Sequence, residues 1–259
     1  MSELLKVENL SIQFGGLKAV DDVNFHIKKG ELLGLIGPNG AGKTTVFNII
    51  SGFYCADQGQ INFDNNNITE CNAAEVNLQG LALTFQNIRL FKNLTVLENV
   101  LMASQQRNHN GSAKDWWNSL FNTAEHKSLE LNLKIEALEL LKVFALDQYA
   151  NEVSSSLPYG AQRKLEIVRA LATKPKLLML DEPAAGMNHQ ETEELNKLIR
   201  FIKDKFNLTV LLIEHDMKLV MNICDRIVVL NRGKKIAEGN PSEIKNSPQV
   251  IEAYLGKRK

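Results

Sequence analysis

The 259-residue sequence lacks any long uninterrupted hydrophobic run. Its longest apolar stretches, around residues 177–180 and 210–213, have the length of a buried strand, whereas a membrane-spanning helix needs about 20 such residues. The first residues also lack the basic segment and apolar stretch of a secretory signal. We therefore expect a cytoplasmic protein that does not itself cross a membrane.

The chain also lacks an excess of charge and is poor in cysteine. Its 30 basic and 30 acidic residues are well mixed, which argues against a nucleic-acid partner. Cys55, Cys71 and Cys224 show no metal-ligand spacing, so we expect reduced thiols that behave as small buried apolar side chains. Sustained heptads are missing too, which disfavours a coiled-coil protein.

The hydrophobic pattern predicts several strands and helices in alternation. Residues 4–27 alternate apolar and polar positions around Gly15 and Gly16, which indicates two antiparallel strands joined by a turn. Short apolar strands and helical segments then follow one another, and the same alternation returns after Ala172. This order favours an α/β fold with a parallel sheet and with ligand chemistry at the carboxyl ends of its strands.

The intervening stretch, residues 87–172, shows only helical spacing, for example at Ile135, Leu138, Leu141 and Ala145. Residues 104–126 within it are polar apart from two apolar pairs, Trp116 with Trp117 and Leu120 with Phe121, and are typical of an insertion. The tryptophan pair could contact a partner or pack on its own subdomain. We therefore predict an inserted helical subdomain.

A glycine-rich segment matches the phosphate-binding pattern of Gly, four residues and Gly-Lys-Ser/Thr. It lies between a predicted strand and a predicted helix, as its mechanism requires. Backbone N–H groups of such a loop face phosphates, Lys43 reaches the terminal phosphates, and the Thr44 hydroxyl ligates Mg²⁺. The predicted ATP-binding residues of this loop are Gly37, Pro38, Asn39, Gly40, Ala41, Gly42, Lys43, Thr44 and Thr45.

Two carboxylates end the apolar strand predicted around residues 177–180. Asp181 is suited to hold Mg²⁺ near Thr44, and Glu182 is suited to orient or deprotonate the attacking water. A polar strand end would explain such a pair if it stood alone. The phosphate loop in the same chain favours the catalytic interpretation.

Two further segments complete a pattern that resembles the ATP-binding cassette (ABC) family over essentially the whole chain. A signature-like segment at residues 157–163 precedes a predicted helix, and Glu214-His215-Asp216 follows a predicted strand. The resemblance implies a P-loop NTPase core with a mixed, mainly parallel sheet, an N-terminal antiparallel β subdomain and an inserted α-helical subdomain. The implied boundaries are residues 1–86 and 173–240 for the core, 87–172 for the helical subdomain and 241–259 for a helical tail.

The resemblance also implies roles for single residues. Gln86 resembles the glutamine that senses Mg²⁺ and water and links to the helical subdomain, and His215 resembles the histidine that contacts the γ-phosphate. Phe14 resembles the aromatic that stacks on adenine. In this family two cassettes dimerise head to tail, so Tyr159 and Gly160 are expected to meet the nucleotide held by the other subunit.

The sequence departs from the commonest family pattern in two places. In the signature segment, Pro158 and Tyr159 stand for Ser and Gly, and Ala161 stands for Gln, so a hydroxyl donor is lost. In the loop that crosses the dimer interface, Asn188 stands for the usual Asp. The main catalytic residues are unaffected, and we expect hydrolysis to survive.

With these departures and with its ending at residues 251–256, the chain resembles the larger of the two paired ATPases of branched-chain amino acid importers. The resemblance implies ATP and Mg²⁺ as ligands, and a second ABC ATPase subunit in a homo- or heterodimer. It also implies transmembrane permease subunits and, indirectly, a solute-binding protein as partners. The subunit would lie on the cytoplasmic face of the inner membrane.

Other functions remain open at this point. Relatives serve urea or amide uptake, and a lipopolysaccharide-export ATPase is the nearest alternative among transporters, although a more usual signature would be expected there. A soluble cassette ATPase acting on ribosomes or DNA normally has two cassettes or long basic or coiled-coil inserts, which this chain lacks. A non-hydrolysing nucleotide switch is disfavoured by Asp181, Glu182 and His215.

Overall fold

The computed structural model describes residues 2–106 and 124–255. Its contacts divide the chain into two compact units: Met1–Gln86 with Lys176–Lys259, which we call the core unit, and Asn87–Pro175, which we call the helical unit. The predicted insertion residues Trp116, Trp117, Leu120 and Phe121 lie outside the described part of the chain, as do Gly256 to Lys259.

The core unit contains two sheets. The strands are β1 (Glu3–Phe14), β2 (Leu17–Lys28), β3 (Leu32–Ile36), β4 (Gln58–Phe63), β5 (Asn66–Asn67), β6 (Leu81–Thr84), β7 (Leu177–Asp181), β8 (Thr209–Ile213), β9 (Arg226–Asn231) and β10 (Lys234–Gly239). The first sheet is antiparallel with the order β2-β1-β4-β5. The second has the order β10-β9-β3-β8-β7-β6 and is parallel except for β10. The predicted α/β class with an antiparallel β subdomain is confirmed.

Helices of the core unit flank the parallel strands in sequence. They are α1 (Lys43–Ile50), α2 (Ala73–Leu78), α6 (His189–Lys205), α7 (Met217–Ile223), α8 (Pro241–Asn246) and α9 (Pro248–Leu255). Strands β3, β7 and β8 are buried along their whole length, as expected of central parallel strands. One apolar cluster joins them to the antiparallel sheet and to Val46, Phe47, Ile49 and Ile50 of α1. This packing fixes α1, and with it the loop before it.

The helical unit is formed by α3 (Val96–Gln106), α4 (Ala124–Val143), α5 (Tyr159–Ala172) and two short 3₁₀ turns, Asp147–Tyr149 and Ser154–Ser156. The buried Asn99 side chain holds the preceding loop, because it accepts the Phe91 N–H and donates to the carbonyls of Phe91 and Thr95. The Ser154 hydroxyl donates to the same Phe91 carbonyl. The residues before α3 are thereby anchored to the start of α3 and to the turn before α5.

Three details differ from the sequence predictions. Of the positions with helical spacing, Leu141 is buried in α4 but Ile135 is 47% exposed, and the other buried positions of this helix are Leu133 and Ala137. Ala145 lies beyond the helix with a φ of 54°. Of the cysteines expected to be buried, Cys224 is buried, Cys71 is half-buried and Cys55 is exposed. Within the described residues, no helix combines the length and apolar character needed to cross a bilayer.

The start of α6 provides a stability test. The Asn188 Oδ1 accepts the Glu191 N–H at 3.0 Å, and the Glu191 carboxylate accepts the Asn188 N–H at 2.9 Å, which forms a capping box. Replacement Asn188→Ala should lower the free energy of unfolding by about 1 kcal/mol, measured by urea-induced unfolding. The control Asn188→Asp retains an acceptor and should stay within a few tenths of a kcal/mol of the parent. Equal losses in both variants would contradict the capping role.

Candidate functional site

The phosphate loop follows β3 directly and ends at α1, as the sequence predicts. At two positions of the loop a neighbouring backbone carbonyl lies so close that only glycine fits. A Cβ on Gly37, whose φ is 155°, would lie 2.2 Å from the Leu230 carbonyl oxygen. A Cβ on Gly42, whose φ is 99°, would lie 2.5 Å from the Ala19 carbonyl oxygen. Neither approach leaves room for a side chain, so the loop is pressed against β9 and β2.

The other loop positions differ in exposure. Gly37 and Ala41 are buried, Pro38 and Gly42 are half-buried, and Asn39 and Gly40 are exposed. Gly40 has a φ of 76° and open space where a Cβ would be. On the first turn of α1, Thr44 is exposed and Thr45 is half-buried. The structure therefore places the middle of the loop and Thr44 at the surface, where a phosphate group can reach them.

Lys43 is buried at the first position of α1, and its ammonium is held by the loop itself. Its Nζ donates to the Gly37 carbonyl at 2.7 Å and to the Pro38 carbonyl at 3.1 Å. Burial lowers the pKa of Lys43, and the nearby carboxylates of Glu182, Asp181 and Glu214 oppose that change. A positive charge at the loop and negative charges at the ends of β7 and β8 therefore face each other.

Asp181 ends β7, and Glu182 is the first residue beyond it. Asp181 is buried, with 6% of its surface exposed, and pairs with Ile213 in the parallel ladder. Glu182 has a φ of 45°, which is in the left-handed region that residues with a side chain seldom adopt. Its N–H still donates to the Ile213 carbonyl at 2.9 Å. The chain therefore turns sharply at Glu182 while remaining attached to β8.

The Glu182 carboxylate is the centre of a cluster of three predicted catalytic residues. The Gln86 amide Nε2 donates to Glu182 Oε2 at 2.8 Å. The His215 Nδ1 lies 3.4 Å from the same oxygen, and the His215 side chain is 57% exposed. Gln86 follows β6, and His215 follows β8, the two neighbours of β7 in the sheet. The three side chains therefore meet because three adjacent strands end at the same edge.

Phe14 ends β1 at the turn to β2 and is 47% exposed, so it is not a core residue. Its ring packs edge-on against Tyr54 with the centroids 5.5 Å apart. Phe14 pairs with Leu17, and Ala19 of the same hairpin is the residue that contacts Gly42. An exposed aromatic ring thus lies on the hairpin that abuts the phosphate loop.

The signature-like segment lies in the helical unit, at the start of α5. Tyr159 is 45% exposed, and Gly160 is half-buried. Pro158 precedes the helix, and no side chain caps its first N–H groups. Arg163 is fully buried, where it pairs with Glu166 at 2.9 Å and donates to the Tyr159 hydroxyl at 3.2 Å. The N-cap residue Pro158 thus makes no side-chain hydrogen bond to the first turn, and the tyrosine of that turn is anchored to Arg163.

The motif Glu214-His215-Asp216 predicts no role for Glu214. Glu214 is buried and accepts N–H groups from Ala184 and His215. Burial raises the pKa of its carboxyl group, while the two N–H donors and His215 oppose the rise. In the sequence, a glutamate after an apolar strand looks like an ordinary polar strand end. Only the folded structure shows that this one is buried and holds two N–H groups.

Known proteins are similar to this chain in sequence and in fold. A family profile described as "ABC transporter" matches residues 20–185, and one described as "Branched-chain amino acid ATP-binding cassette transporter" matches residues 234–259. The chain is 46% identical over 253 residues to the "High-affinity branched-chain amino acid transport ATP-binding protein BraF" of Pseudomonas aeruginosa, with 98% of each chain covered.

Solved structures agree with the sequence comparison. The ADP conformation of MJ1267, an ATP-binding cassette of an ABC transporter, superposes with a TM-score of 0.83 at 33% identity and covers 99% of this chain and 100% of that one. A dimeric post-hydrolysis state of the cassette MJ0796, bound to ADP and Pi, gives a TM-score of 0.75 at 26% identity over 92% and 99% of the two chains. The protein therefore belongs to the ATP-binding cassette family of transporter ATPases, among the branched-chain amino acid transport ATP-binding proteins.

Proposed function

We propose that this chain binds ATP with Mg²⁺, hydrolyses the ATP, and thereby powers an importer of branched-chain or other amino acids. The observation that carries the proposal is the cluster of Gln86, Glu182 and His215 at one carboxylate oxygen, with the Lys43 ammonium in its electrostatic field. Such a cluster places a water-orienting group opposite a phosphate loop. Membership of the family supports nucleotide binding by this chain, and the cluster supports hydrolysis of the bound nucleotide.

The residues present fit ATP and a magnesium ion. The exposed middle of the loop and the amino end of α1 offer N–H groups to phosphates, and Lys43 offers a cation. Thr44, Gln86 and Asp181 are the residues that would hold Mg²⁺. Among the described residues no cluster of His, Cys, Asp and Glu is built as a metal cage, which fits an ion bound together with substrate phosphates. The ion, when bound, supplies neutralisation of phosphate charge.

Glu182 would act on the attacking water. Its carboxylate would accept a hydrogen bond from the water and hold it in line with the γ-phosphorus; as the new phosphorus–oxygen bond forms, the bond to ADP breaks and the water proton passes to the carboxylate. Gln86 holds the carboxylate oxygen that faces it and would sense the bound ion and water. His215, which is exposed and close to Glu182, would contact the γ-phosphate. Phe14 would stack on adenine, because its exposed ring lies on the hairpin beside the loop.

A second ATPase subunit would complete each nucleotide site. In the proposed head-to-tail dimer, Tyr159 and Gly160 at the open start of α5 meet the nucleotide of the opposite subunit. The similar cassette MJ0796 has a dimeric structure with ADP and Pi bound, which supports the pairing of two cassettes. Pro158 and Ala161 remove side-chain donors from the segment, so the contact would depend on the backbone at the amino end of the helix, which the Pro158 side chain does not cap. Whether the partner is a second copy or a different ATPase follows from the complex recovered from cells.

The helical unit offers a surface for a transmembrane permease. A groove of about 280 Å³ lies within this unit and is lined by Asn87, Ile88, Leu90, Lys92, Ser154, Ser155, Tyr159 and Gln162. We propose that a short helix of the permease enters it, which would carry the closing motion of the dimer to the transport path. The same tyrosine contributes to this groove and to the predicted nucleotide contact, so the groove and the signature segment share a side chain.

The proposed substrate and location follow from the relatives. BraF is described as a branched-chain amino acid transport protein, and the C-terminal profile carries the same description. We extend that substrate class to this chain, as the larger of two paired ATPases on the cytoplasmic face of the inner membrane, working with permeases and a solute-binding protein. Urea or amide uptake and lipopolysaccharide export are the alternative transport functions that the experiments below distinguish.

Replacement of Gly37 should weaken nucleotide binding strongly. In Gly37→Ala the new Cβ meets the Leu230 carbonyl oxygen, so the loop has to move away from β9. We expect a weakening of about a hundredfold, measured with a fluorescent ATP analogue and purified full-length protein. Gly40→Ala is the matched control: its φ of 76° strains an alanine as the φ of Gly37 does, but its Cβ meets open space, so it lacks the clash and should lose less affinity. Equal affinities for the two variants would contradict the proposed loop geometry.

Replacement Glu182→Gln should separate binding from hydrolysis. The amide retains the size of the carboxylate but cannot take up a proton from water, so kcat for ATP hydrolysis should fall by about a hundredfold or more. The affinity for ATP should stay close to that of the parent, because Lys43 and the loop are intact. Hydrolysis by this variant at the parental rate would refute the role of Glu182.

Co-purification tests the transport function. The Glu182→Gln variant, held with ATP in detergent-solubilised native membranes, should retain its partners, which mass spectrometry then identifies. We expect to recover two permeases, and a second ATPase as well if the dimer is heteromeric. The sequences of these partners then reveal the substrate class. Recovery with ribosomes or DNA, or without any membrane protein, would contradict the importer function.

A further inference from the structure

Glu214 is a buried carboxylate that the proposed mechanism does not use. It follows β8 directly, and only 1% of its surface is exposed. Its Oε1 accepts the Ala184 N–H at 3.2 Å, and its Oε2 accepts the His215 N–H at 3.3 Å. The two oxygens of one side chain therefore join the turn after β7 to the first residues after β8.

The turn after β7 is held on both sides of Glu182. Before the turn, the Ile213 carbonyl accepts the Glu182 N–H. After it, Glu214 accepts the Ala184 N–H. The left-handed backbone of Glu182, with a φ of 45°, is strained for a residue with a side chain and persists only where the surroundings impose it. Consecutive residues of β8 and its extension, Ile213 and Glu214, provide the two attachments.

Stability alone gives a poor reason for a carboxylate at this position. Burial disfavours its charged form, and the Glu182 carboxylate nearby disfavours it further. The groups that oppose these effects are the two N–H donors, the His215 imidazole at 3.9 Å and the Lys43 ammonium. Buried charges that face other charges of the same sign are concentrated at functional sites. The placement of Glu214 fits that rule.

We propose that Glu214 is a positioning residue for ATP hydrolysis, whose carboxylate ties the Glu182 turn to the His215 backbone. The tie keeps the Glu182 carboxylate and the His215 imidazole at the 3.4 Å separation seen in the structure. Glu214 itself touches no substrate. The inference rests on the proposed function, because it assigns Glu214 a part in the hydrolysis attributed to Glu182.

The first test compares Glu214→Gln with the parent. The amide has the same shape but only one oxygen acceptor, so one of the two N–H groups loses its partner. For the full-length protein, kcat for ATP hydrolysis should fall on the order of tenfold, which corresponds to about 1.4 kcal/mol, while KM changes less than about threefold. An unchanged kcat, or a raised KM with an unchanged kcat, would overturn the proposal.

The matched control is Glu31→Gln. Glu31 is also buried, at 9% exposure, and its carboxylate pairs with the Arg226 guanidinium at 2.7 Å, but it precedes β3 at the opposite end of the sheet. Its replacement should lower the melting temperature and leave kcat per folded molecule unchanged. A similar kcat loss in both variants would show that any damage to the buried charges slows hydrolysis, and it would overturn a specific role for Glu214.

A double-mutant cycle gives the decisive readout. If Glu214 acts through Glu182, then Glu214→Gln should add nothing to the residual rate of Glu182→Gln, measured in single turnovers. If the rate of the double variant instead fell by the product of the two single-variant losses, the proposal would be overturned. Loss of hydrolysis in Glu182→Gln with a parental rate in Glu214→Gln would refute the role of Glu214 alone. A parental rate in Glu182→Gln would refute the proposed function and the inference together.

Discussion

The attachment of the β7 end to the β8 end is the constraint on which the catalytic cluster depends. The parallel ladder pairs Asp181 with Ile213 and then extends by one more backbone hydrogen bond, from the Glu182 N–H to the Ile213 carbonyl. The side chain of Glu214 continues the attachment where the backbones diverge. Because the strand ends cannot separate, a residue after one strand and a residue after the other share a fixed position.

The phosphate loop depends on a different constraint, namely the lack of space around its ends. Gly37 lies against the Leu230 carbonyl, and Gly42 lies against the Ala19 carbonyl. The loop is therefore clamped between β9 and the β1–β2 hairpin, while its middle at Gly40 is open. A loop that is rigid at both ends and open in the middle can present N–H groups to phosphates with little loss of conformational entropy on binding. The antiparallel sheet thus contributes to the site by its backbone.

The phosphate loop and the order of strands and helices could be predicted from sequence because each depends on residues close together in the chain. The meeting of Gln86, Glu182 and His215 could not, since it depends on β7 lying between β6 and β8, and only the family resemblance supplied it. Helical spacing in α4 could be predicted from the sequence, but not which of its positions are buried. Leu133, Ala137 and Leu141 are buried while Ile135 is 47% exposed, because tertiary packing decides which apolar side chains are covered.

The departures from the common family pattern change side chains and leave the backbone groups of the site in place. Asn caps a helix about as well as Asp, so Asn188 retains the start of α6 while removing a charge from the preceding loop. At the start of α5, Pro158 offers no side-chain acceptor that could occupy the N–H groups of the helix. A serine there can bond those groups itself. The substitution therefore removes a hydroxyl together with the side-chain acceptor that a serine would place beside the first turn of the helix.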